Sequence, residues 1–272
     1  MGEFGHGQQP SAASRPQRGE RQLTLRRSRE RGSAAHPMMI DAAVVTGASS
    51  GIGRAVAVAL GPHAKQLVLI GRDPARLADA AAATHNGAAT VLTTDLADPH
   101  AVPVLGHHLA DLLGGVDVLV HSAGDYASGE VPDTDAATFD HLYAVNVRAP
   151  YELTRELLPH LRARHGDVIF MNSTQGLAAY PGVSQYAATK HALTAVADSL
   201  RGEVNAAGVR VTTLHLGRTA TPMQERIHAA AHRPYRAADL VQPQDVADVV
   251  LSVLALPRRT QVNSVTIWPT HP

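Results

Sequence analysis

The chain has 272 residues, 44% hydrophobic and 18% charged, with 24 Lys plus Arg balanced by 24 Asp plus Glu. That is enough apolar material for a substantial core, and the even charge supplies no global field for nucleic acid or for an anionic membrane surface. The absence of cysteine excludes disulfides, thiolate nucleophiles and Cys-based metal centres and accords with a reducing, cytoplasmic setting, while no apolar run approaches the ~18 residues of a membrane span.

Residues 1–37 carry seven arginines and three glutamates, with almost no hydrophobic periodicity. Such a composition cannot offset the entropy of ordering, so the segment is expected to be a disordered extension. The interspersed acids and the lack of an amphipathic stripe argue against a targeting peptide. A start codon upstream of Met38 or Met39 is the plainest origin for it. The folded domain is expected to span residues 38–272.

From Met39 onward, apolar runs alternate with segments of helical length. The predicted strands are 42–45, 66–70, 90–93, 116–120, 167–171, 209–214 and 262–267. Each is short and rich in Val, Leu or Ile, as strands buried on both faces of a parallel sheet are. Asp73-Pro74 and Asp98-Pro99 have the form of helix starts, with Asp as N-cap and Pro at the first helical position. The alternation predicts a single α/β domain, a doubly wound sheet of seven mostly parallel strands with helices on both faces.

The first strand runs directly into VVTGASSGIGRAVAVAL, with Gly47, Gly51 and Gly53 preceding an Ala/Val-rich helix. In a dinucleotide-binding unit such glycines make the tight turn, admit the pyrophosphate to the backbone, and let the helix pack against its strand. The diphosphate then rests on the positive end of that helix. Glycine clusters alone are weak signals, but strand, turn and helix together form the context that the motif requires.

Further along, YAATK places Tyr186 four residues before Lys190, one of only two lysines in the chain. Residues four apart share a helix face. A free phenol, with a pKa of about 10, is nearly idle as an acid–base group at neutral pH. A cation within about 4–6 Å can lower that value by roughly 1–3, so Lys190 is expected to tune Tyr186 downward, toward general acid–base work. Lysine suits this role as a compact point charge with three rotatable donors, able to serve the phenol and a ribose hydroxyl together. Seen alone, such a pair is more often an ordinary surface Tyr–Lys pair on a helix.

TGASSGIG and YAATK together resemble the short-chain dehydrogenase/reductase family, in its single-domain branch, over about residues 39–268. The resemblance implies a Rossmann-like domain and a catalytic tetrad of Asn146, Ser173, Tyr186 and Lys190. Ser173 directly follows the strand DVIFM, and Gly176 matches the glycine that usually follows the family's serine. Asn146 in YAVNVRAP matches the asparagine that holds a relay water. Cofactor contacts are implied at Gly47, Ser49, Ser50, Gly51, Ile52 and Gly53, at Asp95 and Leu96, and at Tyr186 and Lys190. In VHSAG, His121 and Ser122 replace the family's two asparagines, whereas Ala123 and Gly124 are kept. Ser122, Ala123 and Gly124 are still assigned to the cofactor, and His121 is read as structural. In LHLGRTATPM, Leu216 replaces the family's proline, with Gly217, Thr219 and Thr221 assigned to the cofactor.

Where NAD-preferring relatives end the second strand on an acid, this chain has Gly71 followed by Arg72. A guanidinium there suits a 2′-phosphate, so NADP is preferred over NAD; Arg54 is read either as a second source of positive potential or as lying on the solvent side of its helix. Asp73 is read as an N-cap. The segment 218–240 is expected to roof a substrate pocket that Gln175, Leu177, Tyr180 and Gln185 also line. It gathers Arg226, His228, His232, Arg233 and Arg236, which suggests either an anionic substrate or, more plainly, a solvated helical lid.

The sixteen histidines show no metal-binding spacing, so no catalytic metal is expected. Only five residues follow Ile267, leaving no room for the C-terminal substrate domain of the family's longer branch. The favoured function is an NADP-dependent oxidoreductase acting on a small-molecule carbonyl or secondary alcohol, as a homotetramer or homodimer. The alternative is a non-catalytic dinucleotide sensor or interaction protein on the same fold.

Overall fold

Seven short runs of Val, Leu, Ile and Ala become seven strands, because helical connections return the chain to the same sheet edge each time. The computed structural model describes residues 39–85, 87 and 89–270; the arginine-rich segment 1–37, with the expectation of disorder there, lies outside the described residues. In chain order the elements are β1 (Ile40–Thr46), α1 (Gly51–Leu60), β2 (Ala64–Gly71), α2 (Pro74–Ala83), β3 (Ala89–Thr93), α3 (Ala101–Leu113), β4 (Val118–His121) and α4 (Ala136–Tyr143). There follow α5 (Ala149–Arg164), β5 (Asp167–Ser173), α6 (Ser184–Val204), β6 (Arg210–Leu216), α7 (Pro222–Ala230), α8 (Pro243–Leu254) and β7 (Ser264–Ile267).

The sheet order is β3-β2-β1-β4-β5-β6-β7, and every pairing is parallel. The central strands β1, β4, β5 and β6 are buried almost throughout, whereas the edge strands β3 and β7 are partly exposed. One face packs on α1, α2 and α8 through residues such as Leu60, Leu77 and Val250. The other packs on α3, α5 and α6 through Leu109, Leu157 and Leu193. Because β1 pairs with β2 on one side and β4 on the other, the loops leaving β1 and β4 diverge to opposite faces. They open a crevice at the carboxyl edge of the sheet.

Several predicted boundaries shift for local reasons. Val116 and Val209 precede their strands, since their amides donate to the helix residues His160 and Val204. Val262 likewise lies ahead of β7. Asp73 caps α2 as expected, accepting from Arg76 N at 3.1 Å. Asp98 caps no helix: its carboxylate accepts from His100 N at 2.8 Å, closing a turn, and α3 begins only at Ala101. Leu216, at the position of the family's proline, is a buried strand residue in register with Ser173 and Ile267.

The amino edge of the sheet is locked by charge. Asp167 opens β5 and is 7% exposed; Arg210 opens β6 and is 6% exposed. Arg210 Nε and Nη2 reach the two Asp167 oxygens at 2.6 and 3.1 Å. Arg258 Nη1 reaches Asp167 Oδ2 at 2.6 Å and binds the carbonyls of His165 and Gly208. Removing one member of such a buried group leaves a buried charge uncompensated, at a cost of about 3–5 kcal/mol. Asp167→Ala should therefore lower unfolding stability by about that amount in chemical denaturation. A loss below about 1 kcal/mol, the range of exposed ion pairs, would show that solvent screens the cluster.

Candidate active site

The turn after β1 is held open by glycine where no other residue fits. Gly47 has φ +67°, and a Cβ there would stand 2.7 Å from Ala123 N in the loop after β4. A Cβ on Gly53 would strike the Gly47 carbonyl, so α1 packs on the turn main chain to main chain. Thr46 Oγ1 accepts from the amides of Ser122 and Ala123 at 3.1 and 3.2 Å, tying the two loops together. Ser50, the N-cap of α1, makes no side-chain capping bond, and the first turn carries no acid. A helix start of this kind fits a diphosphate.

Gly47, residues 49–53, Arg72, Asp95, Leu96, residues 122–124, Gly217, Thr219 and Thr221 all line one cleft of about 680 Å³. Ser173, Tyr186 and Lys190 line the same cleft. Every cofactor position expected from the sequence thus converges there with three of the four tetrad positions. Asn146, the fourth, is buried behind the wall in a π-helical turn, Ala144–Arg148, between α4 and α5. Its Oδ1 accepts from Asp125 N at 2.8 Å, and its Nδ2 donates to Asp125 O at 3.0 Å and to Thr189 Oγ1 at 3.1 Å. Thr189 in turn donates to the Tyr186 carbonyl at 2.8 Å. Asn146 Oδ1 and Lys190 Nζ both face Gly124, lying 3.2 and 3.7 Å from where a Cβ would stand.

Tyr186 and Lys190 lie one turn apart on α6, as their spacing predicts. The electrostatics run opposite to expectation. Burial of the hydroxyl pushes the Tyr186 phenol up to about 12, against a hydrogen bond from Ser173 that favours the phenolate; Tyr126 adds to the rise. Lys190 does not reverse this: its Nζ is 5.7 Å from the ring centroid, and burial lowers its own pKa to about 8. It donates to Met171 O at 3.4 Å. Desolvation therefore outweighs the neighbouring cation. Tyr126 packs edge-on against Tyr186 at 4.9 Å between centroids, closing one side of the phenol.

Ser173 Oγ accepts from Gln175 N at 3.1 Å, fixing the turn Thr174–Gly176. Beside it, Asn172 is a positioning residue that the sequence did not single out. Its Oδ1 accepts from Ser173 N at 2.8 Å, and its Nδ2 donates to Lys190 O at 3.1 Å and to Thr194 Oγ1 at 2.9 Å. It joins the end of β5 to the α6 turn that carries Lys190. Nothing in the local sequence marks it, since the bond spans eighteen residues.

At the β2–α2 end, Gly71, Arg72 and Arg76 line the cleft. Arg76 was not anticipated; its Nε also pairs with Asp73 at 3.4 Å. Arg54 is exposed and outside the lining. Asp95 accepts from Ala97 N at 3.0 Å, shaping the loop after β3. Thr221 caps α7, accepting from Gln224 N at 3.2 Å, and Thr219 bridges to Val241.

His121 makes structural contacts, in line with its reading from the sequence: Nε2 and Thr154 Oγ1 of α5 lie 2.8 Å apart, and the ring stacks on Phe170 of β5 at 5.0 Å. Burial lowers its pKa to about 3, so it is neutral. Of the proposed pocket residues only Gln175 lines the cleft, with its Oε1 buried and lacking a partner. Leu177 and Tyr180 point to solvent, and Gln185 Nε2 donates to Asp135 O at 2.9 Å. In the segment 218–240, Arg226 and Arg233 line the cleft, while His228 is buried and His232 and Arg236 are exposed outside it.

The model of the short chain dehydrogenase family matches residues 41–232. An uncharacterised oxidoreductase of Staphylococcus epidermidis is 33% identical over 228 residues, covering 84% of this chain and 96% of the relative. Among solved structures, a dehydrogenase/reductase from Sinorhizobium meliloti is 30% identical with a TM-score of 0.74, covering 86% of this chain and 96% of its own. A metagenomic short-chain oxidoreductase solved in complex with NADP is 29% identical with a TM-score of 0.73, covering 85% and 97% respectively. With the glycine turn, the seven parallel strands and the shared cleft, these likenesses place the chain in the short-chain dehydrogenase/reductase family of oxidoreductases.

Proposed function

We propose that this protein is an NADP(H)-dependent oxidoreductase that reduces the carbonyl group of a small molecule, with Tyr186 as the general acid. The observation that carries this reading is the hydrogen-bonded pair Ser173 and Tyr186 in the same cleft as Lys190 and the glycine turn. A nicotinamide dinucleotide bound in the cleft would supply the hydride. Ser173 positions and polarises the carbonyl oxygen, and Tyr186 donates the proton that this oxygen takes up. Lys190 would hold the cofactor's ribose hydroxyls and offers positive charge to the developing oxyanion. Asn146, reaching Lys190's neighbourhood through Gly124 and Tyr186 through Thr189, orders the proton path behind them.

A phenol raised to about 12 is held protonated at neutral pH, so it carries the proton that carbonyl reduction consumes, and it gives that proton up only as negative charge develops on the substrate oxygen. A pure dinucleotide sensor would have no use for a buried lysine beside such a phenol. NADP is supported by Gly71, Arg72 and Arg76 at the β2–α2 end of the cleft, where Asp73 is already paired with Arg76. The NADP-complexed metagenomic relative adds to this. No helix among the described residues is long and apolar enough to cross a membrane. A homo-oligomer is the working assembly, supported by the exposed Phe139 and Tyr143 one turn apart on α4 and Tyr151 on α5.

Tyr186→Phe should lower kcat for carbonyl reduction by about 10²–10⁴-fold, the range for a general acid, with NADPH binding preserved. A variant that retains full kcat would end the role given to Tyr186. The pH dependence should come from the lysine. Lys190 is cationic below about 8 and neutral above it, whereas Tyr186 stays protonated to about 12. The kcat/KM for NADPH should hold level at lower pH and fall through about pH 8; a profile without that limb would remove the Lys190 charge from the mechanism. Arg72→Ala should weaken NADPH binding by roughly 10–100-fold, as loss of a charge-assisted bond does, and leave NADH binding nearly unchanged. Equal losses for both nucleotides would assign Arg72 to a shared part of the cofactor.

A further inference from the structure

The cleft is cationic at two ends, and the 2′-phosphate of a dinucleotide would account for one of them. Arg72 and Arg76 stand at the β2–α2 end, and the α1 start would receive a diphosphate through backbone N–H groups without needing a side-chain cation. Arg218, Arg226 and Arg233 line the cleft at the α7 end. The acidic lining residues, Asp73, Asp95 and Asp125, sit in the loops after β2, β3 and β4. Each is already engaged: Asp73 by Arg76, Asp95 by Ala97 N, Asp125 by Tyr126 N and His141. Glu225, beside Arg226 in sequence, lies outside the lining and acts on Tyr235. None of the three guanidiniums at the α7 end has an ion-pair or hydrogen-bond partner among the described residues.

Their placement is built into the fold. Thr221 caps α7 directly against the glycine turn, its Cγ2 3.1 Å from where a Cβ on Gly51 would stand. One turn further along α7, Arg226 looks into the cleft. The buried His228 then clasps the segment that follows. Its ring meets Tyr235 edge-on at 5.5 Å, and its carbonyl accepts from Arg233 N at 2.9 Å. This clasp folds the chain back so that Arg233 lines the cleft while its neighbours His232 and Arg236 do not.

We propose that Arg226 and Arg233, with Arg218, form an anion-recognition site that selects carbonyl substrates bearing a carboxylate or phosphate group. Guanidinium groups bind both oxyanions through paired, charge-assisted hydrogen bonds. The fate of the carbonyl rests on the hydride-transfer reading above, whereas the anion site itself does not.

The test is calorimetric titration of the full chain, with and without NADPH, using matched charged and neutral probes. Pyruvate and levulinate are each set against their methyl esters, and dihydroxyacetone phosphate against dihydroxyacetone. At least one charged probe should bind about tenfold or more tightly than its neutral partner, as a charge-assisted bond implies. That preference should collapse toward unity in the Arg226→Ala/Arg233→Ala double variant, with NADPH affinity retained. The pair showing the larger ratio identifies carboxylate or phosphate. Equal binding within every pair, or no binding of any charged probe, overturns the proposal. So does a double variant that loses NADPH affinity yet keeps the anion preference, which would assign these arginines to the cofactor. Anion-selective binding without NADPH oxidation would leave the site standing and count against the hydride-transfer reading instead.

Discussion

Two loops meet main chain to main chain at the carboxyl ends of β1 and β4, and the cleft is organised around that approach. Gly47 leaves no side chain between its backbone and that of Ala123. Thr46, the last residue of β1, holds the gap closed through the Ser122 and Ala123 amides. With the loops pinned together, α1 starts at the floor of the crevice and aims its uncapped end into it. A side chain at Gly47 would separate the loops and take the helix end away from the position where a diphosphate can be received.

The same edge shows how burial and charge compete for one group. Spacing along a helix fixes that Tyr186 and Lys190 share a face, but not how much water each retains. Burial in the cleft desolvates the phenol, with a smaller contribution from Tyr126, and the ammonium is desolvated too, so each group is pushed toward its neutral form. Asn172 keeps the arrangement rigid, binding Ser173 and the α6 backbone at once.

The two edges of the sheet divide the work. At the amino edge, Asp167, Arg210 and Arg258 satisfy one another and several carbonyls, locking the starts of β5 and β6. At the carboxyl edge, Gln175 Oε1 is buried without a partner, and the guanidiniums of Arg218, Arg226 and Arg233 are unpaired among the described residues. Unspent hydrogen-bonding capacity is a cost to stability where it is buried.

Much was legible in the sequence because it is encoded locally. Continuous apolar runs such as AVV and DVIFM mark strands buried on both faces, and Gly47, Gly51 and Gly53 mark a turn that only a small residue can make. The i, i+4 spacing placed Tyr186 and Lys190 on one face, and Asp73-Pro74 marked a helix start. What depends on distant segments was decided only by the folded chain. Asn146 reaches the site through Asp125 and Thr189, forty-three residues away in the second case. The stacking of His121 on Phe170, the clasp of His228 on Tyr235 and the choice of Arg226 and Arg233 over His232 and Arg236 all arise from tertiary packing. The direction of the Tyr186 shift belongs with these. Sequence determines which charges are near one another along a helix, while desolvation is set by whatever the rest of the chain places around them.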